Sequence, residues 1–456
     1  MQKQTPQLSE LKSSRNMLLF VLPSLLGIFL FMTPMMFEGG LTIPIAVLKD
    51  ALLSALGGSA GTVVAAVLIV SAIFTIVASV FKPKALLSNE MFNDIFNISA
   101  GWAATRVIGA AFVAMVVAGV GPEAVISDNT GSFVFAELMP SLLAVFIFAG
   151  LLLPLLTHFG LLEMIGSLLT RVMRPLFNLP GRSAIDCMAS WLGDGSVGIL
   201  MSSKQYEEKR YTQREAAVIG TTFSAVSISF SLVVIAQVKL EHLFIPFYAT
   251  VCLAGVIVAI IVPRLPPLSN KKDLLIDGSK RLVDTEVVPE GQSVLSYGLQ
   301  NALTVTSKID SVASVAKVSV KNALDMVFGV LPVVMAVGTI GLIVSEYTPI
   351  FTWLGMPFVP FLELLQVPLA QPASETMVVG FVDMFIPSII AASFDSEMTR
   401  FVVAALSVTQ LIFLSEVGAL LLGSKIPVNL LEMFIIFLLR TVISLPVIAG
   451  MAHLIF

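Results

Sequence analysis

Charge is scarce in this chain. Of its 456 residues only 12% are Asp, Glu, Lys or Arg, about half the share found in a soluble chain of average composition. Histidine occurs three times and cysteine twice. His158, His242 and His453 fall near the ends of expected helices and form no cluster. Cys187 and Cys252 lie in apolar segments without the spacing of a disulfide framework or a zinc site, and read as small packing residues. No phosphate-binding Gly-x-x-x-x-Gly-Lys-Ser/Thr run is present, so a nucleotide does not drive whatever this chain does. The Ser/His, His-Glu-x-x-His and paired-aspartate arrangements of hydrolases are missing too, and no enzymatic activity is expected. A cleavable leader is not expected either: the apolar run after Lys3, Lys12 and Arg15 continues past Pro34 without a small-residue cleavage site.

What fills the chain instead is apolar: 57% hydrophobic residues and a mean hydropathy of +0.95. The expected fold class is an all-α polytopic membrane protein of about nine spanning helices, at roughly 20 apolar residues per crossing. The spans are placed at about Met17–Phe37, Ala60–Phe81, Trp102–Val120, Ala136–Thr157, Arg214–Gln237, Leu243–Val262, Leu324–Ser345, Glu397–Leu422 and Pro427–His453. A short Gly-rich loop precedes Ser59. Leu161–Phe177 carries Arg171 and Arg174 near its end and reads as a helix lying on the inner surface. Pro263–Gln292 reads as a cytoplasmic linker, Ser293–Asn322 as an amphipathic arm, and Phe351–Leu365 as a short helix at the outer surface. Of the 26 Lys and Arg, all but Lys49, Lys239, Arg400 and Arg440 fall inside if the N-terminus is cytoplasmic. That asymmetry sets the orientation and puts the C-terminus in the periplasm.

Two stretches are apolar enough to span yet broken in the middle. The first, PGRSAIDCMASWLGDGSVGILMSSK at 180–204, has Gly193-Asp194-Gly195 at its centre and basic residues on both sides. A charge between two glycines is a turn, and Lys/Arg at both ends keep both ends on one side. The expectation is a helical hairpin entering from inside, with arms of about 11 residues that rise ~16 Å each and reach the midplane of a ~30 Å core. The second, QVPLAQPASETMVVGFVDMFIPSIIAASF at 366–394, would enter from outside. Laying Asp194 on Asp383 also lays Asp186 on Glu375 and Met188 on Met377. An odd number of crossings between the stretches inverts the second copy, and inverted repeats with broken helices are the signature of secondary transporters. The expected division is 1–157, an N-terminal four-helix scaffold; 158–263, the first repeat; 264–322, linker and arm; and 323–456, the second repeat.

This order of elements resembles the concentrative nucleoside transporters and the bacterial proteins carrying a nucleoside-recognition Gate domain, among them the YjiH-type inner-membrane family. The residues that carry it are PGRSAIDCMASWLGDGSVGI at 180–199 and PASETMVVGFVDMFIPS at 372–388. The resemblance implies solute binding at the hairpin tips, coupling to sodium or protons, and a homo-oligomeric scaffold. The chain departs from the nucleoside transporters, with Gly-Asp-Gly at 193–195 where they carry Gly-Gln-Thr-Glu.

Asp194 and Asp383 are the first choices for contacts with solute or coupling ion, since carboxylates at membrane depth default to function; the competing account is a turn aspartate capping the next helix. Asp186 and Glu375 fall in the first turns of their hairpins, where an acid complements the helix dipole, and Ser374 offers a hydroxyl. Within the hydroxyl-rich Thr221–Ser231 stretch, Thr222 and Ser227 lie nearest mid-helix. Gln410, Ser415 and Glu416 occupy the matching stretch of the eighth span, and an ion pair between Glu416 and Arg440 would satisfy both. The function expected is cation-coupled transport of a small polar solute across a bacterial inner membrane, with the solute nucleoside-like by resemblance, or an amino acid or dipeptide. No cofactor beyond a coupling Na⁺ or H⁺, no metal and no nucleic-acid partner is expected; membrane lipid surrounds the chain. The alternative is a membrane assembly or partner-binding protein that transports nothing.

Overall fold

The structure, a computed structural model, describes residues 11–33, 35–37, 40–83, 88–192, 195–223, 226, 228–281, 288, 292–309 and 311–456. It is 78% helical with almost no strand. Among the described residues seven helices are long and apolar enough to cross a membrane: Ser14–Met32, Pro44–Phe81, Ala100–Ala118, Glu123–Thr157, Glu241–Arg264, Ala313–Tyr347 and Leu430–Ile455. The chain is an all-α multi-pass membrane protein.

The first span, α1 (Ser14–Met32), is capped by the Ser13 side chain on the Asn16 N–H. It ends five residues before the expected Phe37, in a two-stranded ribbon of β1 (Met35–Phe37) and β2 (Gly40–Thr42). The segment read as a Gly-rich loop therefore holds structure. Pro44 opens α2 (Pro44–Leu56) at the position where a missing N–H costs nothing. Gly57, at φ +50°, turns the chain toward α3 (Ala60–Ile76). Next to it stands α4 (Ala100–Ala118), which also packs on α14, defined below. A methyl group at Gly109 of α4 would overlap the Pro332 carbonyl. Without a hydrophobic drive between helices in lipid, such close backbone approach is what packs them. α5 (Met139–Leu152) closes the N-terminal part.

α6 (Leu161–Phe177) buries Leu161, Leu162 and Met173 and leaves Val172 and Leu176 exposed, a one-sided pattern that fits a helix lying along a surface. It packs on α12 (Val294–Thr306). Two short helices follow α6, α7 (Ser183–Leu192) and α8 (Gly195–Glu207), packed against each other on either side of residues 193–194. At ~1.5 Å per residue neither reaches across a ~30 Å core.

The fifth and eighth expected spans are interrupted. In the fifth, α9 (Gln213–Val218) runs into a wider π turn at Ile219–Phe223; Val226 is not helical, and α10 (Ile228–Gln237) begins two residues later. The sixth is continuous in α11 (Phe244–Ile261). The amphipathic arm is two helices, α12 and α13 (Val312–Asp325), and α13 continues through a π turn into α14 (Leu331–Tyr347). The segment expected at the outer surface is α15 (Ile350–Gly355) and α16 (Val359–Leu364). A second short pair follows, α17 (Ala370–Val379) and α18 (Ile386–Ala391). The eighth span breaks after α19 (Glu397–Gln410) and resumes as α20 (Val417–Gly423). The chain closes with α21 (Leu430–Ile455), whose first turn is held by an Asn429–Glu432 capping box.

A few positions recur at one spacing along the chain. Leu161, which opens α6, and Ile350, which opens α15, are 189 residues apart. Ile228 and Val417, where the two broken spans resume, are also 189 residues apart. Asp194 and Asp383 share that spacing. One apolar core runs through both halves, from Leu161 and Ile185 to Phe401 and Phe437.

Candidate functional site

The two interrupted spans meet at Arg440 of α21. Its guanidinium is 2% exposed. Nη1 donates to the Thr221 and Thr222 carbonyls at 3.2 and 3.1 Å, in the π turn that ends the first part of the fifth span. Nε donates to the Thr409 carbonyl at 3.0 Å and Nη2 bonds the same oxygen, one residue before α19 ends. Helix C-termini carry unpaired carbonyls and about half a negative charge each. One cation therefore caps two broken helices, one from each half. The expected ion pair with Glu416 is not formed: every bond of Arg440 goes to a carbonyl. Glu416 instead sits half-buried just before α20.

The interruption of the eighth span is built from its neighbours. Leu411 adopts φ +65°, a left-handed conformation that a leucine rarely takes unless its surroundings impose it. The Leu414 N–H donates to the Phe381 carbonyl at 2.8 Å and the Ser415 N–H to the Val382 carbonyl at 2.9 Å. The freed backbone of one broken element thus satisfies that of another, the segment linking α17 to α18. Asp383 completes the junction. It accepts from the Ser415 hydroxyl at 2.5 Å and from the Phe385 N–H at 2.8 Å. Gln410 donates from Nε2 to the Met377 carbonyl and to the Thr441 hydroxyl, both at 2.8 Å, and its Oε1 is buried without a partner.

Asp186 lies at the other end of the first pair. It accepts from the Ser202 hydroxyl at 2.8 Å, the Gln205 amide at 2.7 Å and the Tyr211 hydroxyl at 2.9 Å. It fastens α7 to α8 and to the loop beyond. Glu375 is half-buried and makes no hydrogen bond among the described residues; the Ser374 hydroxyl turns back to the Gln371 carbonyl. The Thr222 hydroxyl bonds the Val218 carbonyl at 2.8 Å. Asp194 and Ser227 lie outside the described residues.

Below these elements charged groups tie the roots together. Glu215, in a capping box with Thr212, receives Arg174 of α6 at 2.8 Å and Arg281 of the linker at 2.6 Å. Glu163 of α6 meets Arg210 at 3.3 Å and Arg182 at 3.7 Å. Lys204 of α8 pairs with Asp325 at 2.5 Å, and the linker's Lys271 with Glu432 at 2.7 Å. In the exposed linker the Lys209 ammonium, 2.7 Å away, holds the Asp277 carboxyl well below the usual carboxylate range.

A cavity of about 210 Å³ opens against Arg440. Trp191 and Cys187 of α7, Thr222 and Phe223 of the fifth span, and Tyr248 and Cys252 of α11 are among its walls. Of the expected residues, Thr222 is the one that the structure places on this wall; Asp383 and Gln410 are at the junction of α19 with the second pair. Arg440 was read from the sequence as half of an ion pair. The signal that could have placed it is its depth, a lone base mid-helix opposite two hydroxyl-rich spans. A larger recess of about 430 Å³, lined by Val337, Ile340, Phe381, Leu414 and Phe434 among others, is apolar throughout and offers a polar solute nothing to bind.

A family model described as Gate, nucleoside recognition, matches residues 139–241. That stretch covers α5 through α10, and so the first short pair and the first broken span. An uncharacterized protein of Alkalihalophilus pseudofirmus is 48% identical over 447 residues, which cover 98% of this chain and 96% of the relative. No solved structure matches the chain. The chain carries a Gate domain and belongs to the same family as that bacterial relative.

Proposed function

We propose that the chain is a secondary active transporter of a small polar solute in a bacterial inner membrane, of the YjiH type, driven by a sodium or proton gradient. In this reading α7–α8 and α17–α18 are re-entrant hairpins that enter from opposite faces, and residues 158–263 and 323–456 are inverted repeats. The N-terminus is cytoplasmic, the C-terminus periplasmic, residues 1–157 form a scaffold, and the assembly is a homo-oligomer. The observation that carries the reading is the convergence of two helix breaks, at one register of the two halves, on one buried side chain beside a cavity. Broken backbone at membrane depth is tolerated where it lines a cavity, and carriers place solute there. Asp194, Thr222, Ser227, Asp383, Gln410, Ser374, Glu375 and Glu416 are assigned to the solute and ion path, and Asp186 to holding the first hairpin shut on itself. Nucleosides, amino acids and dipeptides are the solute classes to try.

The test is uptake by proteoliposomes of labelled uridine, amino acids and dipeptides, with and without inward sodium and proton gradients. Gradient-dependent accumulation of one class, lost in Asp194→Asn, supports the reading. A protein that accumulates none of them under either gradient, yet copurifies with a stable membrane partner, belongs to the non-transporting alternative.

A further inference from the structure

Arg440 has more to do than cap helices. Its guanidinium donates to the Thr221, Thr222 and Thr409 carbonyls, which leaves one N–H of the fork uncommitted. It lines the 210 Å³ cavity, and among the described walls of that cavity there is no Asp or Glu. The other walls are aromatic, aliphatic, sulfhydryl and hydroxyl: Phe177, Trp191, Phe223, Tyr248, Cys252 and Thr222. The carbonyl ends of two helices offset its charge, and the remaining N–H is a directed donor beside a pocket of low polarity; a charged side chain at membrane depth marks a solute or ion path. The shared register sharpens this. Val251 of α11 stands 189 residues before Arg440, and both line the cavity. The pseudo-symmetric pair thus presents an apolar group from one half and a cation from the other.

We infer that the cavity beside Arg440 binds a small solute carrying a carboxylate on an apolar or aromatic body, the carboxylate against the guanidinium and the body against Trp191 and Tyr248. The inference rests on the transporter reading and names the solute class of that site. Arginine pairs with carboxylates by charge-assisted hydrogen bonds. A single charge with one free N–H matches a monoanion better than a phosphate, whose second charge would stay unmatched. The volume holds the equivalent of about seven waters at ~30 Å³ each, below the ~300–1,000 Å³ of drug-sized sites, so the occupant is small.

The two cysteines of the chain both line this cavity, one on α7 and one on α11, which gives a readout independent of transport. Purified protein is labelled with N-ethylmaleimide in the presence of phenylacetate, phenylacetamide, phenethylammonium or phenyl phosphate. Phenylacetate is expected to slow labelling at least fivefold, at a concentration where the amide, the amine and the phosphate do not. Arg440→Gln removes the protection and Arg440→Lys keeps part of it. Because Arg440 also caps two helices, a second variant leaves it intact. Gly255 faces the cavity with no atom within 4 Å of where a Cβ would stand, so Gly255→Leu fills the space in a folded protein and must also abolish protection. Equal protection by phenylacetate and phenylacetamide, or full protection by phenylacetate in Gly255→Leu, overturns the inference. Protection by the amide alone overturns it while leaving the carrier reading standing, since that reading falls on the uptake experiment.

Discussion

Asp186 and Asp383 are both carboxylates in broken apolar stretches, and the groups around them assign different work. Asp186 accepts three side-chain hydrogen bonds, from Ser202, Gln205 and Tyr211, and has little capacity left for a ligand. Hydrogen bonds to a charged group contribute ~1.5–3 kcal/mol each, and orphaned partners add their own cost. Asp186→Asn should therefore lower the unfolding free energy of purified protein by roughly 2–4 kcal/mol, visible as a fall in its thermal midpoint. The folded fraction should bind solute as tightly as wild type. Asp383 instead bonds the Ser415 hydroxyl and backbone N–H groups that open α18, Phe385 among them. The backbone bonds from Leu414 and Ser415 to Phe381 and Val382 remain when its charge is removed. Asp383→Asn is thus expected to cost only about 1 kcal/mol of stability while uptake falls roughly tenfold or more, the equivalent of ~1.4 kcal/mol. A thermal midpoint as low as that of Asp186→Asn, with uptake per folded molecule unchanged, would reverse the assignment.

At the scale of elements, the short helix pairs and the helix at Leu161–Phe177 were legible in the sequence because they carry their own signals: Gly193-Asp194-Gly195, Pro387, Arg171 and Arg174. The interruption of the eighth span was not. Leu411, Ile412, Phe413 and Leu414 have the hydropathy of a spanning helix and contain neither glycine nor proline. What opens the helix there is tertiary: the carbonyls of Phe381 and Val382 take the N–H groups of Leu414 and Ser415, and Arg440 takes the carbonyl of Thr409. A local pattern cannot encode partners that arrive from 30 residues away in either direction. The same reasoning explains the ion pair expected for Arg440, since pairing by opposite charge ignored the free carbonyls that a broken helix supplies. Helix contacts give a sharper prediction through glycine. Gly109→Ala pushes a methyl into the Pro332 carbonyl between α4 and α14 and should destabilise by ~1–3 kcal/mol. Gly255→Ala meets open space and should be neutral or stabilise α11 by up to ~1 kcal/mol, the helix-propensity difference. Thermal unfolding of the two variants side by side measures the contrast.

For the whole molecule, one group of ion pairs gathers around the first short pair. Glu215 with Arg174 and Arg281, Glu163 with Arg210 and Arg182, Lys204 with Asp325 and Lys271 with Glu432 join α6, the α7–α8 pair, the linker and α21. They fix the roots of the first pair while the breaks deeper in the fold are held by hydrogen bonds alone. In the proposed carrier, the ion-paired elements would stay fixed while the hydrogen-bonded breaks open in turn to each side. The most direct test of that claim uses Cys187 in a Cys252→Ser background, in sealed right-side-out and inside-out vesicles. A charged, membrane-impermeant methanethiosulfonate reagent is added from outside each. The account predicts that Cys187 reacts in both preparations, because the cavity opens alternately to the two faces. Reaction from one face alone, or from neither, would contradict it.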